Sequence, residues 1–412
     1  MAEVDVFVNR QLAGRLSRAQ MRHGFTYGFD APEALSLTMP LRLETYIYEQ
    51  GLHPLFQMNL PEGYLRQAIE RAAAKHYGSD DVTFLTLLGN HQIGRLRYTV
   101  ANNPLQEDAL KTPSLDELLN SDNAALFEQL LSRYALQSGV AGVQPKVLME
   151  LRNNDFTAEF DNVNPIIHTA TLPLKKYIVK SWGNEFPQLA CNEFFCLSLA
   201  RNAGLTTPNF YLSNNGKLLI CERFDINEND EPLGFEDFCV LQGKTTQAKY
   251  ESSIEACANT IRQYVSQELQ LKALEDFFKL TLLNIKIQNG DAHLKNFGVL
   301  YQNLANYRPG QIPNVSRKFS PVFDLVSTTP YIKNDSMALT LTGTKRWPKW
   351  KVLEKFAKSH CNLNNTRIDQ IVNDLENACE TSKPLLDRLI ESHPAFEPIG
   401  AKIGDLLMQK FR

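Results

Sequence analysis

Asp291 and Asn296 stand five positions apart, with His293 and Lys295 between them. That D-x-x-x-x-N spacing is the spacing of kinase catalytic loops. Moving a phosphoryl group needs little covalent help; it needs positioning and neutralised charge. An Asp can accept or orient the proton of an attacking hydroxyl, which makes Asp291 the candidate catalytic carboxylate. An Asn amide oxygen can bind Mg²⁺ without adding another full negative charge, which suits Asn296. In Pro321-Val322-Phe323-Asp324-Leu325 an Asp follows a short apolar stretch that reads as a strand, in the sequential place of a second metal ligand. His293 is either a catalytic group or a brace for the loop. Lys295 is either a contact for the transferred phosphate or a solvated cation.

Upstream, Lys180 ends the apolar run Tyr177-Ile178-Val179, and Glu193 follows thirteen residues later. A strand Lys paired with a helix Glu is a device for holding ATP phosphates. Before them, Ser138-Gly139-Val140-Ala141-Gly142-Val143-Gln144-Pro145-Lys146 precedes a strand. Backbone N–H groups of such a turn can cradle phosphates. Gly142, Val143, Gln144 and Lys146 are its candidate nucleotide contacts, although the segment is no Walker A motif. Loop, strand Lys, helix Glu, Asp/Asn loop and final Asp occur in the order a kinase requires.

These residues need elements to hold them. In 271–287, Leu274, Phe277, Phe278, Leu282 and Ile285 share one helical face. That helix runs straight into the Asp291 loop, and Phe297-Gly298-Val299-Leu300 leaves it. The pattern predicts strands at 146–151, 177–180 and 218–221, and a helix over 189–202 with Gly204 as its stop. Val4-Asp5-Val6-Phe7-Val8 alternates like a half-buried strand and turns at Asn9-Arg10-Gln11 into 12–16, a hairpin. Segments 25–29 and 35–39 are further strand candidates, and Pro61 opens a helix. Residues 103–123, rich in Pro, Asp, Asn and Ser, are the expected connection. The tail from 350 to 412 is helical in pattern. The expected units are 1–105, 125–225 and 226–412.

The chain of 412 residues is 43% apolar and 22% charged with a net charge of −3, so no global basic field points to nucleic acid. The seven cysteines include no C-x-x-C, and the eight histidines no H-E-x-x-H, so neither a zinc site nor a disulfide framework is expected. There is no apolar run of transmembrane length and no signal-peptide pattern at Met1-Ala2-Glu3-Val4-Asp5, which makes the cytoplasm the default location and excludes a membrane partner. Lys345-Arg346-Trp347-Pro348-Lys349-Trp350-Lys351 interleaves cations with aromatics. It reads as a loop anchored by its two Trp residues, with nucleic-acid stacking as the rival reading.

The residues resemble the HipA-type serine/threonine kinases, the toxin component of HipBA toxin–antitoxin pairs. The resemblance is carried by Gly142-Val143-Gln144-Pro145-Lys146, Cys221-Glu222-Arg223-Phe224-Asp225, Glu236-Asp237-Phe238-Cys239, Lys249-Tyr250-Glu251, Gly290-Asp291-Ala292-His293-Leu294-Lys295-Asn296 and Phe323-Asp324-Leu325. Asn59-Leu60-Pro61-Glu62-Gly63 and the block 87–96 resemble that family's N-terminal subdomain. The resemblance implies an α+β, bilobal protein-kinase-like fold of the lipid-kinase-like branch, with an added N-terminal α/β subdomain and a mainly helical C-lobe. It implies that Glu222 and Phe224 sit at the adenine hinge, that Lys180 holds phosphates, that Asp291 is catalytic, and that Asn296 and Asp324 bind Mg²⁺. It implies ATP and Mg²⁺ as cofactors and a helix-turn-helix antitoxin of the HipB type as partner. Operator DNA would be touched only through that antitoxin. The protein substrate would be a translation component such as an aminoacyl-tRNA synthetase.

Two departures stand out. The family's phosphate loop often carries serines where this chain has Gly139 and Ala141, with Ser138 out of register, so self-phosphorylation of the loop is not expected. The Gln that often follows Glu-Asp-x-Cys is Val240 here, with Gln242 nearby. Two other readings fit the loop motif. Gly290-Asp291-x-His293-x-x-Asn296 also resembles the loop of aminoglycoside and choline kinases, and an ATP-binding co-repressor with little catalysis would use the same phosphate contacts. The Gln144-Pro145-Lys146 motif argues against the first, and the full set of Lys180, Asp291, Asn296 and Asp324 against the second.

Overall fold

The computed structural model describes residues 3–19, 22–49, 51–63, 66–67, 70, 80–90, 92–105, 118–120, 146–151, 157–161, 164–168, 175–183 and 185–411. The chain opens with strands β1 (Glu3–Val8), β2 (Gln11–Ala19), β3 (Arg22–Tyr27) and β4 (Tyr46–Tyr48). With β5 (Leu96–Val100) they make an antiparallel sheet in the order β4-β3-β2-β1-β5. Val8 pairs with Gln11, so the first hairpin has a two-residue loop, and Asn9 and Arg10 both adopt positive φ (48° and 69°). That backbone matches the twist of a tight hairpin. Val4, Val6 and Val8 are buried as the alternation predicts; Asp5 is buried too, because Arg15 pairs with it at 2.8 Å.

Helix α1 (Pro54–Met58) is capped by the His53 ring, which accepts from the Leu55 N–H, and α2 (Asp81–Leu87) by Asp80. The strand expected at 35–39 does not form. The Leu35 N–H is taken by the Tyr27 hydroxyl and the Leu37 N–H by Glu236, so the segment turns and makes only a bridge from Ser36 to Met39. The helix expected from Pro61 begins at Gly63 and continues largely outside the described residues, as does most of the 103–123 connection.

The second sheet comprises β6 (Lys146–Leu151), β9 (Lys175–Lys180), β10 (Phe210–Leu212) and β11 (Leu219–Glu222), ordered β10-β11-β9-β6; β7 (Thr157–Asp161) and β8 (Asn164–His168) form a hairpin of their own. Helix α3 (Leu189–Asn202) follows β9. This sheet is apolar on both faces, and side chains alternate between them. Val147, Met149, Tyr177, Val179 and Ile220 join the core of the N-terminal unit. Leu219 and Cys221 join the other core, with Cys191, Phe195 and Leu199 of α3. One sheet therefore closes two cores. Because Tyr177 and Val179 face the N-terminal unit, the period of two turns Lys180 toward α3.

Beyond it come β12 (Gly234–Asp237), α4 (Phe238–Leu241), α5 (Ile254–Tyr264), α6 (Gln270–Lys286), β13 (Gly298–Tyr301), β14 (Arg317–Phe319), α7 (Trp350–His360), α8 (Asn365–Ser392) and α9 (Glu397–Met408). Strands β12, β13 and β14 form a third sheet with β13 central. Phe277 and Phe278 of α6 and Phe356 of α7 are fully buried, each stabilising the packing by roughly 1.5–3 kcal/mol. The N-terminal unit is bound to this part at two buried acids. Glu236 of β12 accepts from Ser36 Oγ (2.6 Å), the Leu37 N–H (2.7 Å) and the Tyr301 hydroxyl (2.5 Å). Glu33 pairs with the buried Arg95 and accepts from the Leu304 N–H (2.7 Å). All seven cysteines are buried free thiols, and burial pushes Cys361 up to about 12. Among the described residues no helix is long and apolar enough to cross a membrane.

Candidate active site

Lys180, at the end of β9, projects between α3 and the segment after β14. Its ammonium pairs with Glu193 of α3 and donates to Asp324 Oδ1 at 2.6 Å. Glu193 is fully buried and Lys180 nearly so. Burial by itself would lower the lysine pKa, but Asp324 and Glu193 outweigh it and raise it, so Lys180 stays a cation. Asn192, the neighbour of Glu193, fixes where Asp324 lies: its amide donates to the Ser327 carbonyl (2.8 Å) and accepts from the Ser327 N–H (3.0 Å).

Residues 321–323 form no strand, contrary to the apolar pattern. Pro321 has no N–H to place in a ladder, and Val322 donates instead to the Thr206 carbonyl at 2.7 Å. Asp324 itself has φ of +56°, left-handed backbone that Asp tolerates better than most residues with a Cβ.

Helix α6 delivers the catalytic-loop candidates. Past its end, Asn289 turns back on Asn284 through backbone (2.8 Å) and side-chain (2.8 Å) bonds, and its Oδ1 accepts from the Asp291 N–H at 3.1 Å. Gly290 donates to Thr328 Oγ1 at 2.8 Å, and a Cβ at Gly290 would lie 2.0 Å from Asp335 Oδ2. Residues 294–296 form a 3₁₀ turn in which Asn296 Oδ1 accepts from the His293 N–H (3.0 Å). The same amide turns its Nδ2 toward Asp324 Oδ2 at 3.4 Å. The structure thus brings Lys180, Glu193, Asn296 and Asp324 into one connected group.

Asp291 opens to solvent at the mouth of this group and accepts from the Tyr250 hydroxyl at 2.7 Å. The protein around the carboxylate strips part of its hydration, and this raises its pKa; the Tyr250 bond pulls it down and nearby Asp324 pushes it up again. His293 is buried edge-on to the Tyr250 ring, centroids 5.1 Å apart, and burial takes its pKa down to about 3, so the imidazole is neutral. Lys295 is buried among acids: Asp237 Oδ2 lies at 3.3 Å and Glu62 Oε1 at 3.4 Å. Its ammonium is held by the protein itself rather than by solvent.

Glu222 ends β11, where its carboxylate accepts from Asn209 Nδ2 (3.0 Å) and the Tyr211 hydroxyl (3.4 Å). The Phe224 ring packs on Phe323 (5.1 Å) and Phe235 (5.5 Å), joining the 222–224 segment to the residue before Asp324. The loop 138–145, with Gly142, Val143 and Gln144, lies outside the described residues, as does the side chain of Lys146; the backbone of Lys146 pairs with Lys180. Trp347 donates to the Asp335 carbonyl at 3.0 Å, and both Trp347 and Trp350 pack on the helical core.

Tyr250 and Glu62 touch the site, yet the sequence alone gives neither a chemical role. Each lies in a run that resembles the family's motifs, but nothing in the spacing announces that Tyr250 reaches Asp291 across 41 residues.

Asp324 offers a hard oxygen that suits Mg²⁺, which takes one or two protein oxygens and completes its shell with phosphates and water. Asn296 turns Nδ2 toward Asp324 while its Oδ1 accepts from the His293 N–H, so its amide would have to turn over to add a second oxygen. Among the described residues no group of three or more His, Cys, Asp or Glu side chains could hold a metal alone.

The model of the HipA N-terminal domain matches residues 4–99, and that of the HipA-like C-terminal domain matches residues 138–382, more than half of the chain. Two Sinorhizobium fredii relatives, named as putative kinases Y4dM and Y4mE, are 24% identical over 87% of this chain and 81% of theirs, and 26% identical over 80% and 78%. A solved chain in the Shewanella oneidensis MR-1 toxin–antitoxin complex of HipA, HipB and operator DNA has the same fold: TM-score 0.65 at 17% identity, over 99% of this chain and 97% of that one.

Proposed function

The chain belongs to the HipA family, and from that premise we propose that it is an ATP- and Mg²⁺-dependent serine/threonine-protein kinase, the toxin half of a toxin–antitoxin pair. The observation that supports this best is the buried Lys180 shared by Glu193 and Asp324, with Asn296 against the second oxygen of Asp324. A lysine between two carboxylates is a cation held in place before any nucleotide arrives. It neutralises Asp324 and presents positive charge where phosphates would lie.

Asp291 is the proton acceptor for the incoming hydroxyl. Tyr250 orients its carboxylate, leaving the second oxygen for the acceptor. Neutral His293 braces the loop from beneath. Lys295 acts from within its acidic pair, holding the 294–296 turn and with it Asn296. Asp324 and Asn296 are the residues that would hold Mg²⁺, which supplies charge neutralisation between phosphates. Glu222 and Phe224 would flank the adenine, and Gly142, Val143, Gln144 and Lys146 the phosphates. A two-lobed arrangement around this cleft, a HipB-type helix-turn-helix partner that carries the operator DNA, and an acceptor of the aminoacyl-tRNA synthetase class follow from the family and remain part of the proposal.

The test is transfer of the γ-phosphate of ATP to protein by the purified chain. Asp291→Asn should reduce it about 10²–10⁴-fold, the usual worth of a positioned base, while ATP still binds. Asp324→Asn should instead weaken the Mg²⁺ dependence of ATP affinity. Transfer retained by Asp291→Asn, or a Mg²⁺ titration unmoved by Asp324→Asn, would sink the assignment. Co-purification with the product of a neighbouring helix-turn-helix reading frame tests the pairing.

A further inference from the structure

Four charged side chains meet behind the catalytic loop, one of them from outside the helical part. Glu62, in the segment just after α1, places Oε2 3.2 Å from Lys249 Nζ and Oε1 3.4 Å from Lys295 Nζ. Asp237, the last residue of β12, approaches Lys295 at 3.3 Å. The lysines and Asp237 are buried and Glu62 nearly so. Two cations and two anions balance, and that balance is required: buried charges are tolerated only when paired.

Both lysines bear on Asp291. The Lys249 carbonyl accepts from the Leu294 N–H at 3.2 Å, and the next residue, Tyr250, holds the Asp291 carboxylate. Lys295 stands inside the 294–296 turn. The N-terminal unit grips the same strap a second time, where Gln57 Oε1 accepts from the Thr246 N–H at 2.9 Å. One short segment, 246–250, is thus held from the N-terminal unit at one end and holds Asp291 at the other.

We infer that Glu62 is a positioning residue of the phosphoryl-transfer site: from the N-terminal unit it fixes Lys249 and Lys295, and through them the Asp291 loop. Its effect on rate rests on the kinase reading above; its effect on the loop rests on geometry alone. Removing its charge leaves two buried ammonium groups with one carboxylate. The strap and the loop then separate by repulsion, while the Lys180–Asp324 group on the far side of Asn296 is untouched.

Glu62→Gln in the full chain tests this with two readouts. Steady-state kinetics should show kcat down about tenfold with KM for ATP within about twofold, because the nucleotide contacts are intact. Hydrogen exchange should show amides of 289–297 opening about tenfold faster with α6 and α8 unchanged. Lys249→Met, which breaks only the Glu62–Lys249 link, should speed the same amides by a smaller factor, and the double variant should lose no more than Glu62→Gln alone, since the remaining Lys295–Asp237 pair is balanced. Glu62→Asp, which keeps the charge, should recover part of kcat. Unchanged exchange in 289–297 overturns the inference, as does exchange that rises equally across the helical part. Absence of transfer by the unmodified chain would retire the kinase reading instead, and the exchange measurement would still decide whether Glu62 holds the loop.

Discussion

At the scale of single residues, the site is a set of opposed titration pressures. Burial and the neighbouring Asp324 both raise the pKa of Asp291, and the Tyr250 hydroxyl opposes them. A proton acceptor works only when ionised, so activity is lost as pH falls through a raised pKa. The acid limb of kcat/KM should therefore lie above the ordinary carboxylate range. Tyr250→Phe removes the opposing bond, so the limb should move to higher pH still, and kcat should fall about tenfold for a lost bond to a charged group. A pH–rate profile of the two proteins checks both, and an unmoved limb would mean that Asp291 is not the group reporting. That Lys180, Asn296 and Asp324 meet was legible, because their residue types and order are those that phosphate charge would demand. The partners of Tyr250 and Lys295 were not, because a contact made across 41 or more residues leaves no local spacing to read.

At the scale of elements, the longer segments were legible from periodicity: 146–151 and 189–202 appear with the bounds expected, and the α6 stripe lies where the apolar face predicts, whereas short strands such as β4 and β10 are too brief to show a period. The two expected strands that do not form share one cause. Segments 35–39 and 321–323 have strand-like composition, but their N–H groups are claimed by distant acceptors or absent at proline, so no ladder forms. The turn between α6 and the 294–296 turn depends on close approach rather than composition. At Gly290 any side chain would meet the Asp335 carboxylate, which also accepts from Thr328, so Gly290→Ala must displace one or the other. Transfer should fall at least tenfold in Gly290→Ala, with the melting temperature lowered by only a few degrees, the shift that about 1 kcal/mol gives in a protein this size. Wild-type kinetics in that variant would show that the approach is not needed.

At the scale of the whole molecule, the N-terminal unit is joined to the rest by buried acids as well as by apolar surface. Burial raises the pKa of Glu236, and its three donors come from both sides of the joint. Glu236→Leu would leave those donors unpaired inside the protein, at a cost of about 3 kcal/mol. Glu236→Gln keeps an acceptor and should lose less. Denaturant midpoints for the two variants check the order; equal midpoints would show that the joint does not depend on this acid. The sheet shared by two cores has a further consequence during synthesis. The core of the N-terminal unit also needs Tyr177, Val179 and Ile220, so from residue 100 to residue 222 the ribosome must add roughly 120 more residues before that sheet can cover it. At about 5–20 residues per second that is some 6–24 s in which the apolar underside of the first sheet waits uncovered. A chaperone that binds nascent apolar surface should therefore engage this chain early and release it only once β11 has emerged, which ribosome-arrested chains ending before and after residue 222 would reveal.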